Sequence, residues 1–215
     1  MTATPSNAPA VMDHLRESTA EAHKRAESSP LMRAIGRGTV SRERYVTHLE
    51  QLLLVHRALE GELDRVAPGQ PSWSGLTLGD RRRVPDLTAD LEVLGGSLSP
   101  MPLAETAAAE AVIRRASPLA LLGMFYVTEG STNGGRFLVK QVAKGLGLDL
   151  ASGRGLRSQN PYGDRQPALW AGFKGAMNAL SFTAAETAEL EVGARTMFDL
   201  LATIAEAIEP ERNAG

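Results

Sequence analysis

The sequence predicts an all-α fold, a single-domain bundle of about seven helices over residues 11–209. Apolar residues recur at three- and four-residue steps along most of the chain, and no run alternates with a period of two. Caps, prolines and glycines separate the periodic stretches. A length of 215 residues, of which 43% are hydrophobic, fits one domain with a sizeable core. Residues 1–10 are predicted to be a flexible tail and residues 210–215 a C-terminal tail.

The first two predicted helices come directly after the N-terminal tail. The first covers residues 11–28 and stops before Pro30, because proline disfavours the α conformation in the residue that precedes it. The second has Ser41 as its N-cap, carries a long apolar stripe, and ends at Pro68-Gly69. This stripe predicts a long helix with one face in the core.

Two shorter helices complete the first half of the chain. Residues 69–84 look like loop with a turn of helix. Pro85 can open the third helix, and Gly95-Gly96 closes it. An alanine-rich fourth helix spans about residues 102–115.

Three further helices are predicted in the second half. Ser117-Pro118 places a cap and a first-turn proline before a long helix over residues 118–144. Residues 145–166 hold five glycines and one proline and indicate a loop, followed by a helix from about residue 167 to residue 180. Thr183 and Glu186 form a capping box at the start of the last helix.

Composition and charge exclude several classes of chemistry. Because the chain has no cysteine, it can form no disulfide, thiolate-ligated zinc site, iron–sulfur cluster or thiolate-ligated haem. A net charge of −2 gives no overall field that attracts nucleic acid or an anionic membrane. The longest apolar stretch, residues 119–127, is far shorter than a membrane helix, and the N-terminus resembles no signal peptide. The sequence therefore predicts a soluble, cytoplasmic protein.

His23 has the most suggestive setting among the four histidines. Thr19 lies one helical turn before it and Glu27 one turn after it, nearly on one line. A carboxylate at this offset can accept a hydrogen bond from the ring nitrogen that does not face a ligand. From this spacing alone, however, a solvated or packed histidine is more common than a ligand, so both interpretations stay open.

A glycine-rich segment, Gly130-Ser131-Thr132-Asn133-Gly134-Gly135, lies inside a predicted helix. Each interior glycine costs about 1 kcal/mol relative to alanine, so a compensating role is expected. Close helix packing is one explanation, and a backbone that approaches a flat ligand is another. A phosphate loop is excluded for two reasons. Phe137 stands at the position where the phosphate-loop pattern requires Ser or Thr, and no strand precedes the segment.

Three separated segments, in order over about residues 12–208, resemble the haem oxygenase family. Leu15-Arg16-x-x-Thr19-x-x-x-His23-x-x-x-Glu27 is similar to the family's proximal helix, and residues 126–135 to its glycine-rich distal helix, in the bacterial style. The remaining matches are Pro161-Tyr162-Gly163, Trp170, Phe173, Met177-Asn178 and Ala194-x-x-Met197-Phe198. The chain is thus identified as a member of this biliverdin-producing family.

The resemblance implies how haem binds. Haem would lie between the first helix and the distal helix, with His23 as the proximal iron ligand and Glu27 as its hydrogen-bond partner. The residues that match the distal backbone resting on the haem face are Gly130, Gly134 and Gly135.

Other matched positions would hold the edge of haem or order water near it. Arg16 and Lys174 match basic residues that pair with the propionates, and Phe198 matches a cofactor-binding position. Where many relatives place an aspartate after the first distal glycine, this chain has Ser131. The distal water network would then depend on Ser131 and Asn133, with Arg136 as a weaker third candidate.

The resemblance implies an enzyme that uses haem as both cofactor and substrate. It would cleave haem with O2 and external electrons at a meso carbon, giving biliverdin, CO and Fe2+. A reductase or ferredoxin would donate the electrons, since no flavin or nicotinamide motif is present, and a phytochrome could accept the biliverdin. The alternative is a haem-binding carrier or sensor on the same fold, which the missing aspartate keeps open.

Overall fold

The computed structural model describes residues 10–76 and 78–208, which form helices and turns without any strand. The predicted tails lie outside these residues, apart from Ala10. Nine α-helices are found in the described ranges: α1 (Val11–Ser18), α2 (Ala20–Glu27), α3 (Pro30–Arg37), α4 (Arg42–Val66), α5 (Val84–Leu94), α6 (Ala104–Arg115), α7 (Pro118–Leu146), α8 (Gln166–Ala179) and α9 (Ala184–Ala207). Short 3-10 turns join α4 to α5 and precede α8. The prediction of an all-α fold is confirmed.

The structure has two more helices than the sequence analysis predicted, and both arise near the N-terminus. The predicted helix 11–28 is divided at Thr19, whose hydroxyl donates to the Leu15 carbonyl over 2.6 Å. A hydroxyl that bonds back to the preceding turn bends a helix. The helix α3 was missed because Pro30 was interpreted only as a stop, whereas it occupies the first turn behind Ser29, whose side chain accepts from the Met32 amide.

The other helix starts agree with the predicted caps. The side chains of Ser41 and Ser117 accept hydrogen bonds from backbone amides three residues ahead, at 3.4 Å and 3.2 Å. Thr183 and Glu186 form the reciprocal capping box at the start of α9. These local signals satisfy backbone donors that no helix can satisfy internally, which is why they mark helix starts so well.

The helices α7 and α9 pack against each other at the centre of the fold. A Cβ atom at Gly123 would lie 2.1 Å from the Leu190 carbonyl oxygen, and one at Gly193 would lie 2.1 Å from the Ala120 oxygen. Neither position can carry a side chain without separating the two helices. For Gly123, close helix packing is therefore the explanation of the glycine.

This packing places the residues singled out above. The helix α2, which carries His23, packs on α9, and α9 in turn packs on α7. Two buried apolar clusters fill the interior, one around Leu15, Phe125 and Phe173 and the other around Tyr45, Leu91 and Val142. The first cluster includes the apolar side chains of residues 121–127 of α7, and the second includes Val139, Val142 and Ala143.

Candidate functional site

The His23 side chain lies on the outer face of α2 and is 54% exposed. Its ring meets the edge of the half-buried Phe198 ring on α9, with centroids 5.3 Å apart. Its Nδ1 atom lies 3.4 Å from the Glu27 Oε2 atom, one turn along the helix. The carboxylate is thus close enough to orient the imidazole, while Nε2 has no hydrogen-bond partner among the described residues.

Arg16 and Lys174 are both exposed, on α1 and α8. Arg16 makes only long ion pairs, at 3.8 Å to Asp13 and 3.7 Å to Glu17. Exposed pairs of this kind contribute little to stability, so the guanidinium can reorient toward another anion. Both cations are available to a charged ligand.

The glycines of residues 130–135, called here the glycine segment, do not all face the same way. Nothing lies within 4 Å of a Cβ atom placed on Gly134, and one on Gly130 would meet only the Trp170 ring, at 3.6 Å. A Cβ atom on Gly135 would lie 2.2 Å from the Gln159 carbonyl oxygen. Gly130 and Gly134 therefore share one face of α7, while Gly135 accommodates the loop before α8.

The two sides of the site meet at Tyr126. Burial raises its pKa, and the neighbouring Thr19 side chain and the positive charge of Arg16 offset this rise only in part, so all three groups lie close together. Thr19 is one turn from His23, and Tyr126 is one turn from Gly130, about 6 Å along each helix. His23 and the glycine segment thus flank one contact between α7 and the first two helices.

The polar side chains of the glycine segment are partly engaged. The Ser131 hydroxyl donates to the Thr128 carbonyl at 2.8 Å. The Asn133 amide donates to the Gly130 carbonyl at 3.0 Å and accepts from the Gln166 amide at 2.8 Å. Arg136 covers the exposed Phe137 ring, at 4.8 Å from its centroid. Ser131 and Asn133 keep free lone pairs, so they can still accept from water.

A buried ionic cluster behind the glycine segment was missed in the sequence. Glu129, 1% exposed, forms an ion pair with Arg81. Tyr162 donates its hydroxyl proton to Glu129 Oε2 over 2.7 Å, and burial raises the pKa of this phenol. Glu129 is the only charged residue between Pro118 and Gly135, and a lone carboxylate inside an apolar helix needs buried partners. The isolated carboxylate could have indicated a buried ionic cluster from the sequence, but it could not have identified the residues that pair with it.

We expect Tyr162→Phe to lower the free energy of unfolding by about 1.5–3 kcal/mol, because hydrogen bonds to buried charged groups are worth that much. The Tyr126 hydroxyl lies beside the uncharged Thr19 side chain, so Tyr126→Phe serves as the matched comparison at about 0.5–1.5 kcal/mol. Urea unfolding of the two variants measures both values. Equal losses would contradict a special role for the charge on Glu129.

His56 and Glu60 of α4 border the same cluster. Together with Arg81, Arg83 and Glu129, they line a cavity of about 10 Å³, which is room for about one water molecule. Burial, and then the positive charge of Arg83, lower the pKa of His56 to about 3. The imidazole is therefore neutral near pH 7, and it can donate one hydrogen bond and accept another beside the cluster.

A larger pocket of about 430 Å³ lies on another side of α7. Its walls include Leu63, Trp73 and Phe125, and the ion pair between Arg82 and Asp64 stands at its rim. None of the residues lining this pocket is one of the candidate site residues. This pocket is therefore separate from His23 and from the glycine segment.

Comparisons with known proteins identify the family. A family model described as heme oxygenase matches residues 10–207. The heme oxygenase of Xanthomonas campestris pv. campestris (strain 8004) is 31% identical over 171 residues, covering 78% of this chain and 92% of the relative.

Solved structures share the fold. The heme oxygenase of Leptospira interrogans superposes with a TM-score of 0.84 at 26% identity, covering 92% of this chain and 98% of that one. Heme oxygenase-1 of the cyanobacterium Synechocystis, solved in complex with heme, has a TM-score of 0.83 at 22% identity, covering 93% and 92%. No helix in the described part of the chain is long and apolar enough to cross a membrane. The chain belongs to the haem oxygenase family, and it is a haem-degrading oxidoreductase.

Proposed function

We propose that haem binds in the cleft between α2 and the glycine segment, with His23 as its proximal iron ligand. The observation that carries this proposal is the setting of the imidazole: Nδ1 faces Glu27 at 3.4 Å, and Nε2 is left for a ligand. Neutral imidazole nitrogen is the usual axial ligand of haem in a protein without cysteine. Phe198, edge-on to the His23 ring, would keep the imidazole upright.

The opposite wall of the cleft fits a flat ligand. The space at Gly134 is one that a Cβ atom would occupy, and nothing else in the described structure fills it. Gly130 and Gly134 would present bare backbone to the haem face, whereas Gly135 would act indirectly by keeping the loop against α7. Backbone that approaches a ligand closely is the common use of glycine inside an element.

Arg16 and Lys174 would bind the haem propionates from the rim. Both are exposed, and the ion pairs of Arg16 are long enough to be exchanged for stronger ones. Charge-assisted hydrogen bonds to a carboxylate are about twice as strong as neutral ones, which favours the exchange. Their role would be to fix how haem is rotated in the cleft.

The reaction we propose is cleavage of haem at a meso carbon to biliverdin, CO and Fe2+. Haem supplies the redox chemistry when it is bound, using O2 and external electrons. The chain would orient it: Glu27 holds the tautomer of His23, and the bare backbone at Gly130 leaves room for a small ligand on one side. Ser131 and Asn133 would order water there with their free lone pairs.

Electrons would come from a separate reductase or ferredoxin. The exposure of His23 and of Arg16, 71% for the latter, leaves the cleft open at its edge, so a donor can approach.

Hemin titration tests the proposal. We expect a one-to-one complex with the Soret band of histidine-ligated haem, and conversion to biliverdin and CO when reductant and O2 are added. Absence of a Soret band would contradict haem binding in the cleft. Haem recovered intact after incubation with reductant and O2 would contradict the proposed turnover and would favour a carrier.

A further inference from the structure

The N-terminal end of α8 contacts the glycine segment at two points one helical turn apart. Gln166, 1% exposed, donates from Nε2 to the Asn133 Oδ1 atom over 2.8 Å. Trp170, four residues later, lies 3.6 Å from the place that a Cβ atom on Gly130 would take. The glycine segment is therefore contacted by a second helix, at Gly130 and at Asn133.

Asn133 links Gln166 to the backbone of the glycine segment. Its Nδ2 atom donates to the Gly130 carbonyl over 3.0 Å, so a chain of hydrogen bonds runs from Gln166 through Asn133 to Gly130. A planar amide has its acceptor and its donors on opposite sides. Because Gln166 occupies the acceptor of Asn133, the donor of Asn133 is directed at Gly130.

The burial of Gln166 argues for a role beyond packing. Its Oε1 atom is buried and has no hydrogen-bond partner within the described residues. A buried polar atom without a partner is costly, and an apolar side chain would avoid that cost. The bond to Asn133 is the one hydrogen bond that this side chain makes within the described residues.

We propose that Gln166 is a positioning residue for haem cleavage. Through Asn133, it fixes the Gly130 carbonyl and with it the distance between the glycine segment and the haem face. This inference rests on the proposed function, because it assumes that the segment faces haem. A displacement of about 1 Å in a reacting geometry can cost about 100-fold in rate, so a fixed backbone matters.

A double-mutant cycle on the haem-free protein tests the hydrogen-bond chain. We expect amide hydrogens of residues 130–137 to exchange at least about fivefold faster in Gln166→Met and in Asn133→Leu, because either change frees the Gly130 carbonyl. The double variant is expected to exchange no faster than the faster single variant, since both act through one chain. Gln70→Met, a glutamine of the 3-10 region between α4 and α5, is the matched control and is expected to leave these rates unchanged.

The haem-bound protein gives a second readout. The ratio of biliverdin isomers is expected to change at least about twofold in Gln166→Met, while Gln70→Met keeps the parental ratio. Unchanged exchange of residues 130–137 in Gln166→Met, or additive effects in the cycle, would overturn the inference. If Gln166→Met does not fold, Asn133→Leu decides by the same exchange criterion. Failure of the parent protein to bind haem would refute the proposed function, but the haem-free cycle would still report whether Gln166 holds Gly130.

Discussion

Replacement of His23 with alanine is expected to abolish the spectrum of histidine-ligated haem and to lower the rate of biliverdin formation by more than about 100-fold. Loss of a group that merely orients a metal ligand costs about 10–100-fold, and His23 is the proposed ligand itself. Glu27→Gln is expected to lower the rate by about 10–100-fold, because the amide can still orient the ring, although less strongly than the carboxylate does. Steady-state haem degradation and absorption spectra measure both effects.

His14→Ala is the matched control for His23→Ala. His14 also lies near the N-terminus, but it bonds to Glu191 at 2.9 Å and takes no part in the cleft. Its replacement is expected to leave the haem spectrum unchanged. Normal haem turnover in His23→Ala would eliminate His23 as the ligand. Restoration of the spectrum by added imidazole would support it, because the small molecule fits the space that the side chain vacates.

Local signals made most of the helices predictable, and the misses have local causes too. Helix starts at Ser41, Ser117 and Thr183 follow from caps that act over three residues. Pro30 was ambiguous because proline both ends one helix and begins another. Thr19 bends the helix through its own hydroxyl, which apolar periodicity does not register.

The site was predictable only in part, because its partners are remote in sequence. His23 and Glu27 are one turn apart on one helix, so their contact follows from spacing. Arg81 and Glu129 are 48 positions apart, and Gln166 and Asn133 are 33 apart. Such pairs depend on how the helices are arranged in the fold, and no local pattern specifies that arrangement.

The glycine segment shows why residue type alone was ambiguous. Three glycines within six residues indicated close approach, but not what approaches. The space beside Gly135 is filled by the Gln159 carbonyl, while the space beside Gly134 is open. The two neighbours point about 100° apart on α7, so Gly135 can pack against the protein while Gly134 faces a space that a ligand could fill.

This difference leads to opposite expectations for two adjacent substitutions. Gly134→Leu is expected to leave the fold intact and to raise its stability by about 0.5–1 kcal/mol, because an interior helical glycine is replaced in open space. If haem rests on this backbone, the new side chain should lower haem affinity at least about 100-fold, or about 2.8 kcal/mol. Gly135→Ala is instead expected to destabilise the fold by about 1–3 kcal/mol, since its Cβ atom would overlap the Gln159 carbonyl oxygen.

Gly61→Leu separates a general effect of leucine from an effect on the cleft. Gly61 is an exposed glycine of α4 with nothing within 4 Å of its Cβ position, so it shares the local setting of Gly134 outside the cleft. Thermal unfolding and hemin titration are to be measured for all three variants. Gly61→Leu is expected to stabilise the fold without weakening haem binding. Equal haem affinity in Gly134→Leu and Gly61→Leu would mean that haem does not lie against Gly134, because only contact with haem distinguishes these two open positions.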